Sequence, residues 1–224
     1  MLSLRMSDEV LQEQIDYYRA RAPEYDEWWQ RERSFDLGPE QKATWDEEVA
    51  EVARALDDFS PGGRVLEFAS GTGWWTQRLA RHASELTCLD ASEETIEIAR
   101  ERVPQARFVQ KDIFDWEPDD TYDVVFFSFW LSHVPDERFE VFWSTVHQAL
   151  DDDGRVFFID NLRPVDTKAR DGRTVRTLND GREFEIVKIY YEPDDLEAKI
   201  RALGWDAAVS KTQTHFLHGT ARRC

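Results

Sequence analysis

The sequence predicts an α/β protein: a doubly wound, mostly parallel seven-stranded sheet that finishes with an antiparallel edge strand. From residue 64 onward, short apolar runs typical of buried strands alternate with segments whose apolar residues recur at helical spacing. Repeated strand–helix units place successive strands parallel to one another, with helices on both faces of the sheet. A closing strand–helix–strand segment allows the sheet to end antiparallel.

Two amphipathic helices precede this alternating region and are predicted over residues 8–22 and 40–57. Strands are then predicted over residues 64–69, 85–89, 106–109, 122–128 and 155–160. Helices are predicted between them over residues 73–82, 92–103 and 136–150. Ser92 fits the N-cap position of the second of these helices, because its hydroxyl oxygen can accept a hydrogen bond from the first helical turn.

The pattern changes after residue 161, where a polar, basic stretch begins. Asp180 and Gly181 form a pair that is typical of a hairpin turn, here between TVRTL and EFEIVKIYY. A helix over 194–203 follows, and a last strand is predicted from Trp205 toward Leu217.

The chain is long enough, at 224 residues, to bury one sizeable core. We therefore expect a single domain over residues 1–224, in which residues 1–58 form an N-terminal helical cap. Residues 163–191 are expected to form a basic hairpin insertion near the substrate edge.

Composition excludes several classes of partner. The formal net charge of −18 and the pI of about 4.7 disfavour binding to nucleic acid, because an acidic surface repels phosphate backbones. No apolar run approaches the roughly 20 residues that span a bilayer, so no membrane association is expected. Cys88 and Cys224 give neither a disulfide framework nor a zinc set, which favours a reduced, cytoplasmic protein.

A glycine turn follows the first predicted strand in the run VLEFASGTGWWTQRLA, residues 65–80. The next predicted strand ends on Asp90. This arrangement is typical of a nucleotide-type cofactor site at the carboxyl edge of a parallel sheet. The turn lets the backbone approach the ligand, and the acid can accept hydrogen bonds from ribose hydroxyls.

The residues around the turn bear on which cofactor binds. A dinucleotide fingerprint requires a third glycine, and here Thr76 or Trp74 stands in that position, depending on the register. Trp74 and Trp75 would crowd a pyrophosphate, whereas aromatic rings favour a positively charged sulfonium. The missing glycine therefore counts against the alternative of an NAD(P)-dependent oxidoreductase.

Residues 64–162 resemble the class I S-adenosylmethionine-dependent methyltransferases, particularly the small-molecule group that includes the quinone-biosynthesis enzymes. Five segments carry this resemblance in the family's order: EFASGTG, CLDASEETIEIAR, FVQKDIFDW, YDVVFFSFWLSHVP and ALDDDGRVFFIDN. Alanine replaces the first glycine of the family's first motif, at Ala69. The resemblance implies a Rossmann-like methyltransferase fold and S-adenosyl-L-methionine (SAM) as cofactor.

The resemblance also implies a set of residues in contact with the cofactor. Asp90 would hold the ribose, Asp112 and the backbone of Ile113 would meet the adenine, and Ser128 and Phe129 would lie beside the cofactor. Glu67 would accept hydrogen bonds either from nearby backbone or from the amino-acid end of the cofactor. The full set is Glu67, Ala69, Gly71, Gly73, Trp75, Asp90, Ala91, Asp112, Ile113, Ser128 and Phe129.

His133 is the candidate catalytic residue. It follows the fourth predicted strand and precedes Pro135, so we expect it at the carboxyl edge of the sheet. A neutral imidazole there could take a proton from a hydroxyl or an amine as the methyl group transfers. The alternative is that His133 caps the loop or packs under the cofactor. His215 and His218 lie three residues apart on a predicted strand and face opposite sides, so no metal site is predicted.

Two groups of residues are candidates for contact with the methyl acceptor. The aromatic group would cover or wall the site, although plain core packing explains the N-terminal aromatics nearly as well. From 163 to 188, seven basic residues stand against five acidic ones, so this stretch could recognise an anionic group or could be a solvated hairpin. The candidates are Tyr18, Tyr25, Trp29, Trp130, Arg163 and Arg176.

These observations lead to one expected activity, the transfer of a methyl group from SAM to an oxygen or nitrogen of a small metabolite. Most of the acceleration would come from holding nucleophile, methyl group and sulfur in line in a dry pocket. A cofactor-binding protein without catalytic activity is the remaining alternative.

Overall fold

The computed structural model of the protein describes residues 2–164 and 172–224, with side chains from Asp8 onward. The strands are β1 (Gly63–Phe68), β2 (Ala83–Asp90), β3 (Arg107–Gln110), β4 (Tyr122–Ser128), β5 (Leu150–Asn161), β6 (Arg173–Thr177), β7 (Glu183–Val187), β8 (Trp205–Lys211) and β9 (Phe216–Arg223). The α-helices are α1 (Leu2–Arg21), α2 (Asp26–Gln30), α3 (Pro39–Phe59), α4 (Thr76–Leu79), α5 (Glu93–Arg102), α6 (Phe139–Ala149) and α7 (Pro193–Arg201).

Seven strands form the central sheet in the order β3-β2-β1-β4-β5-β9-β8. Strands β1 to β5 pair in parallel, and β9 runs antiparallel between β5 and the edge strand β8. This confirms the predicted fold class. The strand order reverses between β1 and β4, and in open α/β sheets ligands bind at the carboxyl ends of the strands at such a point.

Both faces of the sheet are covered, which explains why the central strands are apolar throughout. Along β4, Val125 and Phe127 belong to the core that includes α6 and α7, whereas Val124 and Phe126 belong to the core that includes α3. This alternation is the two-residue period of a strand. The two cores hold the carboxyl ends of β1, β2 and β4 in fixed positions.

The end of the chain corrects one prediction. The predicted last strand, from Trp205 toward Leu217, is in fact two antiparallel strands, β8 and β9, joined by a turn. Glu48 of α3 stabilises that turn, because its Oε2 accepts hydrogen bonds from the Thr212 hydroxyl and from the His215 N–H (2.7 Å). His215 therefore lies in the turn and His218 on β9.

The predicted hairpin is present as β6 and β7, but it forms a sheet of its own instead of joining the central sheet. Helix α1 begins at Leu2, earlier than predicted, and packs along β7. Glu13 Oε1 accepts a hydrogen bond from the Glu185 N–H (2.6 Å), and Gln14 Oε1 accepts one from the Val187 N–H (3.2 Å). Part of the predicted basic insertion, residues 165–171, lies outside the described residues.

None of the described helices is both long enough and apolar enough to cross a membrane.

Candidate active site

A cavity lies at the carboxyl ends of β1, β2 and β4, and α1 covers it; together with the open solvent at its mouth it takes up about 740 Å³. Its largely apolar wall suits a small organic ligand. The glycine turn, the ends of the strands and α1 supply its lining. The lining residues are Leu11, Gln14, Ile15, Tyr18, Tyr25, Ala69, Gly71, Asp90, Ala91, Ser92, Thr95, Asp112, Ile113, Phe114, Ser128, Phe129, Trp130 and His133.

The glycine turn after β1 brings backbone to the cavity wall. Ala69 and Gly71 both have a left-handed backbone, with φ of 52° and 55°. A side chain at Gly71 would meet the ring of Tyr25, whose nearest atom lies 3.4 Å from the position of a Cβ. The left-handed conformation therefore favours glycine at this position, whereas the Tyr25 ring leaves room for a Cβ at ordinary van der Waals distance.

Asp90 ends β2 with a partly buried carboxylate that organises the turn. Its Oδ2 accepts a hydrogen bond from the Gly71 N–H (2.8 Å), and its Oδ1 accepts one from the Ser92 N–H (2.9 Å). Burial raises the pKa of this carboxyl, and the hydrogen bonds from Ser92 and Gly71 oppose that shift. Each carboxylate oxygen can accept about two hydrogen bonds, so Oδ2 keeps capacity for a ligand hydroxyl.

Asp112 and Ile113 follow β3 and form another part of the wall. Asp112 Oδ1 accepts a hydrogen bond from the Phe114 N–H (2.9 Å), which starts a short 3-10 helix over Ile113–Asp115. Burial raises the pKa of the Asp112 carboxyl. The apolar side chains of Ile113 and Phe114 beside the Asp112 carboxylate would fit a flat heterocycle with an exocyclic amino group.

Glu67 lies beneath the cavity instead of in its wall. Its Oε2 accepts hydrogen bonds from the Thr76 hydroxyl (2.6 Å) and from the Cys88 thiol (3.5 Å). Burial raises the pKa of the Glu67 carboxyl to about 8. Within the described part of the chain, then, the partners of Glu67 are two side chains of the fold itself.

Three more of the predicted site residues do not reach the cavity. Gly73 packs against α5, where a Cβ would lie 3.1 Å from the Cα of Ala99. Trp75 is buried in the core that includes α3. Trp29 is also buried there and stacks on Trp74, with ring centroids 5.0 Å apart and an interplanar angle of 2°. Tryptophans at the turn therefore build the core of the fold on this side.

His133 lies in the cavity wall on a 3-10 helix, Leu131–His133, that follows β4. Its Nδ1 is 2.7 Å from the carbonyl oxygen of Val187, and its Nε2 is 2.9 Å from the Tyr18 hydroxyl. A carbonyl oxygen only accepts, so Nδ1 carries the proton. Burial, and then the charge of Lys188, lower the pKa of His133 well below its ordinary value. The ring is therefore neutral, and Nε2 accepts a hydrogen bond from the Tyr18 hydroxyl.

Cationic side chains lie near His133, and two of them were missed in the sequence. Lys188 is buried, and its Nζ donates to the Ser132 hydroxyl (2.7 Å) and to Asn161 Oδ1 (3.0 Å). The Asp160 carboxylate lies 3.8 Å from the same Nζ. Burial lowers the pKa of Lys188 to about 8. The sign in the sequence that Lys188 is buried was its position between the apolar residues Val187 and Ile189.

Arg21 is the second cationic residue that the sequence analysis missed, whereas Arg176 was among the predicted contacts of the methyl acceptor. Both are partly buried, both lower the pKa of His133, and neither forms an ion pair with a described Asp or Glu. The Arg21 guanidinium lies over the ring of Tyr25, 5.1 Å from its centroid. None of Arg21, Arg176 and Arg163 lines the cavity wall. Arg163 is exposed, and its guanidinium lies over the ring of Tyr190.

Comparison with known proteins identifies the family. A methyltransferase domain model matches residues 65–154. DhpI, solved in complex with S-adenosylhomocysteine (SAH), is 38% identical over 96% of this chain and 97% of its own, with a TM-score of 0.78. The DhpI–SAM–HEP complex is similar to the same degree, with a TM-score of 0.81 over 95% of this chain and 97% of its own.

An uncharacterized methyltransferase of Bacillus cytotoxicus is 28% identical over 68% of this chain and 72% of its own length. The chain therefore belongs to the class I SAM-dependent methyltransferases and is a SAM-dependent enzyme. This excludes the nicotinamide-dependent alternative and the non-catalytic one. The geometry of the site agrees with the assignment, because a partly buried acceptor carboxylate and a close backbone turn meet at the same wall.

Proposed function

We propose that this enzyme methylates an oxygen or nitrogen atom of a small, anionic molecule, and that His133 is the general base. The observation that carries the proposal is the position of His133. Its neutral imidazole lines the ligand cavity, and it feels the charges of Arg176 and Arg21, which form no ion pair with a described Asp or Glu.

The cofactor would occupy the part of the cavity next to the strand ends. Asp90 would accept hydrogen bonds from the ribose hydroxyls, and Asp112 with Ile113 would hold the adenine. The turn from Ala69 to Gly71 would hold the amino-acid end. When bound, SAM supplies an electrophilic methyl group on a sulfonium sulfur. The wall formed by Tyr18, Trp130 and His133 would then border the acceptor.

The hydrogen bonds of His133 suggest how a proton leaves the acceptor. The Nε2 lone pair already accepts a hydrogen bond from the Tyr18 hydroxyl. The Tyr18 oxygen would therefore take the proton of the methyl acceptor while its own proton passes to Nε2. The carbonyl of Val187 would stabilise the resulting imidazolium through the proton on Nδ1. Helix α1 holds Tyr18 in place, because Gln14 donates a hydrogen bond to the backbone carbonyl of His133 (3.4 Å).

The charges favour an anionic acceptor. The positive charges of Lys188, Arg176 and Arg21 lower the pKa of His133, which makes it a weak base, and they favour an anion nearby. The Asp160 carboxylate offsets part of the Lys188 charge. Binding of an anion would offset these charges and raise the pKa of His133 toward the range in which it accepts a proton. The outer surface carries the opposite sign, with a net charge of −18, which disfavours large polyanions such as nucleic acid.

The proposal can be tested with pairs of acceptors that differ only in charge. Suitable pairs are lactate and lactamide, and salicylate and salicylamide, in which an uncharged amide replaces the carboxylate. Transfer of a tritiated methyl group from SAM is expected for anionic members, with kcat/KM at least about tenfold above that of their neutral partners. Preference for the neutral members, or no transfer to any anionic member, would contradict the proposal.

A variant pair separates specific recognition from general attraction. Arg176→Ala should raise KM for the preferred anionic acceptor by about tenfold and leave SAH affinity unchanged, because it removes a charged partner of the acceptor alone. Arg182→Ala is the matched control, since Arg182 lies on the same hairpin but is exposed and paired with Asp180. Equal KM values for the two variants would remove Arg176 from the site.

A further inference from the structure

A polar cluster outside the cavity joins three segments that are distant in the sequence. Asp26, at the start of α2, accepts a hydrogen bond from the hydroxyl of Thr72 in the glycine turn (Oγ1 to Oδ1, 2.8 Å). Asp26 also forms an ion pair with Arg102, the last residue of α5. Arg102 Nη1 lies 3.3 Å from both Asp26 Oδ1 and Thr72 Oγ1. We call these three residues the Asp26 clamp.

The clamp is built from partly buried groups, which distinguishes it from an ordinary surface ion pair. The Arg102 and Asp26 side chains are 26% and 22% exposed, and Thr72 is almost completely buried. Each member contacts the other two, and a fork of guanidinium donors on a carboxylate is a directional interaction. Such networks hold their members more firmly than exposed pairs do.

The residue next to the clamp lies in the cavity wall. Tyr25 precedes Asp26 directly, lines the cavity and packs its ring against Gly71. Burial raises the pKa of Tyr25 to about 12, and the negative charge of Asp90 adds to that shift. Tyr25 therefore covers the same turn and acid that are proposed to hold the cofactor, although none of the three clamp residues lines the cavity.

We infer that Asp26 and Arg102 are positioning residues for cofactor binding, which hold Tyr25 closed over the glycine turn and so slow the release of SAM and SAH. The inference rests on SAM dependence and not on the choice of acceptor or base. With the clamp intact, α5 fixes α2 and the turn together, so the Tyr25 ring stays over Gly71. Without it, Tyr25 is held by α1 and by the Arg21 guanidinium over its ring.

Removal of the clamp should change the binding of SAH and not the chemical step. Arg102→Ala should raise the Kd for SAH about five- to thirtyfold, with most of the change in the dissociation rate. The reason is that Tyr25 is then no longer held firmly over the glycine turn. With any acceptor that the enzyme methylates, KM for SAM should rise and kcat should stay within about twofold. Isothermal titration calorimetry gives the Kd, and stopped-flow tryptophan fluorescence gives the dissociation rate.

The chain offers a matched control on the same helix. Arg100 also lies on α5, is exposed and pairs with Glu93, so Arg100→Ala removes an arginine and an ion pair without touching the clamp. Its SAH affinity should equal that of the native protein. Asp26→Asn keeps the shape of the side chain and should show the same loss of SAH affinity as that expected for Arg102→Ala. It therefore tests the clamp independently if the arginine variant folds poorly.

Rescue distinguishes a positioning role from general weakening of the fold. The charge-exchanged protein, Asp26→Arg with Arg102→Asp, should recover at least part of the lost affinity, whereas two independent losses would add. Unchanged SAH affinity in both Asp26→Asn and Arg102→Ala would overturn the inference while leaving SAM dependence intact. Failure of the native protein to bind SAH would instead overturn the cofactor assignment.

Discussion

Replacement of Asp90 by asparagine probes the residue proposed to hold the ribose. The carboxylate accepts hydrogen bonds from two backbone N–H groups, those of Gly71 and Ser92, on different oxygens. An amide of the same shape has one oxygen and one NH₂, so one of these N–H groups would face a donor. A buried N–H left unpaired costs about 1–3 kcal/mol of stability. The variant should therefore melt at a lower temperature.

Asp90→Asn should also weaken SAH binding, and this effect can be measured separately from the loss of stability. A ribose hydroxyl that donates to a carboxylate forms a charge-assisted hydrogen bond worth about 1.5–3 kcal/mol. Asp90→Asn should therefore raise the Kd for SAH by about 10- to 150-fold. Calorimetry at neutral pH gives the Kd, and Asp152→Asn serves as the control because Asp152 is fully exposed on β5, outside the cavity wall. A Kd within twofold of the native value would refute the ribose assignment.

Two further predictions concern buried groups. The pKa of Glu67 is raised to about 8, above that of an unfolded glutamate near 4.5, so its contribution to stability is full below pH 4.5 and is lost as the pH rises to 8. Glu67→Gln should remove that loss and stabilise the protein above pH 8 by up to about 5 kcal/mol. Denaturant melts that show no such gain would contradict the assigned pKa. Tyr18→Phe and His133→Ala should each lower kcat by about a hundredfold, and the double variant should lower it no further, because the two residues form one relay. Tyr191→Phe is the control, since it removes a buried hydroxyl with no partner among the described residues and should leave kcat unchanged. Full activity in His133→Ala would rule out its role as base.

The predicted site residues that line the cavity are encoded locally. Gly71 follows β1 and Asp90 ends β2, and the carboxyl ends of neighbouring parallel strands meet at one edge of the sheet, so the two had to lie together. Ser128 ends β4, and Phe129 and His133 follow it, so they reach the same edge. The fold class depended on repeated strand–helix units, which are equally local.

What the sequence did not predict depends on contacts between distant segments. Tyr18 and His133 are joined by a hydrogen bond across 115 positions, and Asp26 and Arg102 across 76. Nothing in the composition of α1 indicates that it packs along β7. The split of the last strand into β8 and β9 likewise depends on Glu48, which reaches the turn from α3. Trp29 and Trp75 lie in the core and not in the cavity wall, because a tryptophan near a cofactor turn suits the core as well as the site.

A crystal structure of the enzyme with SAH is the most direct test of where the cofactor and the acceptor lie. We expect the ribose hydroxyls within hydrogen-bond distance of the Asp90 carboxylate and the adenine beside Asp112 and Ile113. The sulfur atom should then face the part of the cavity that Tyr18, Trp130 and His133 border. SAH bound elsewhere, or bound with its ribose away from Asp90 and its sulfur away from His133, would contradict the proposed active site.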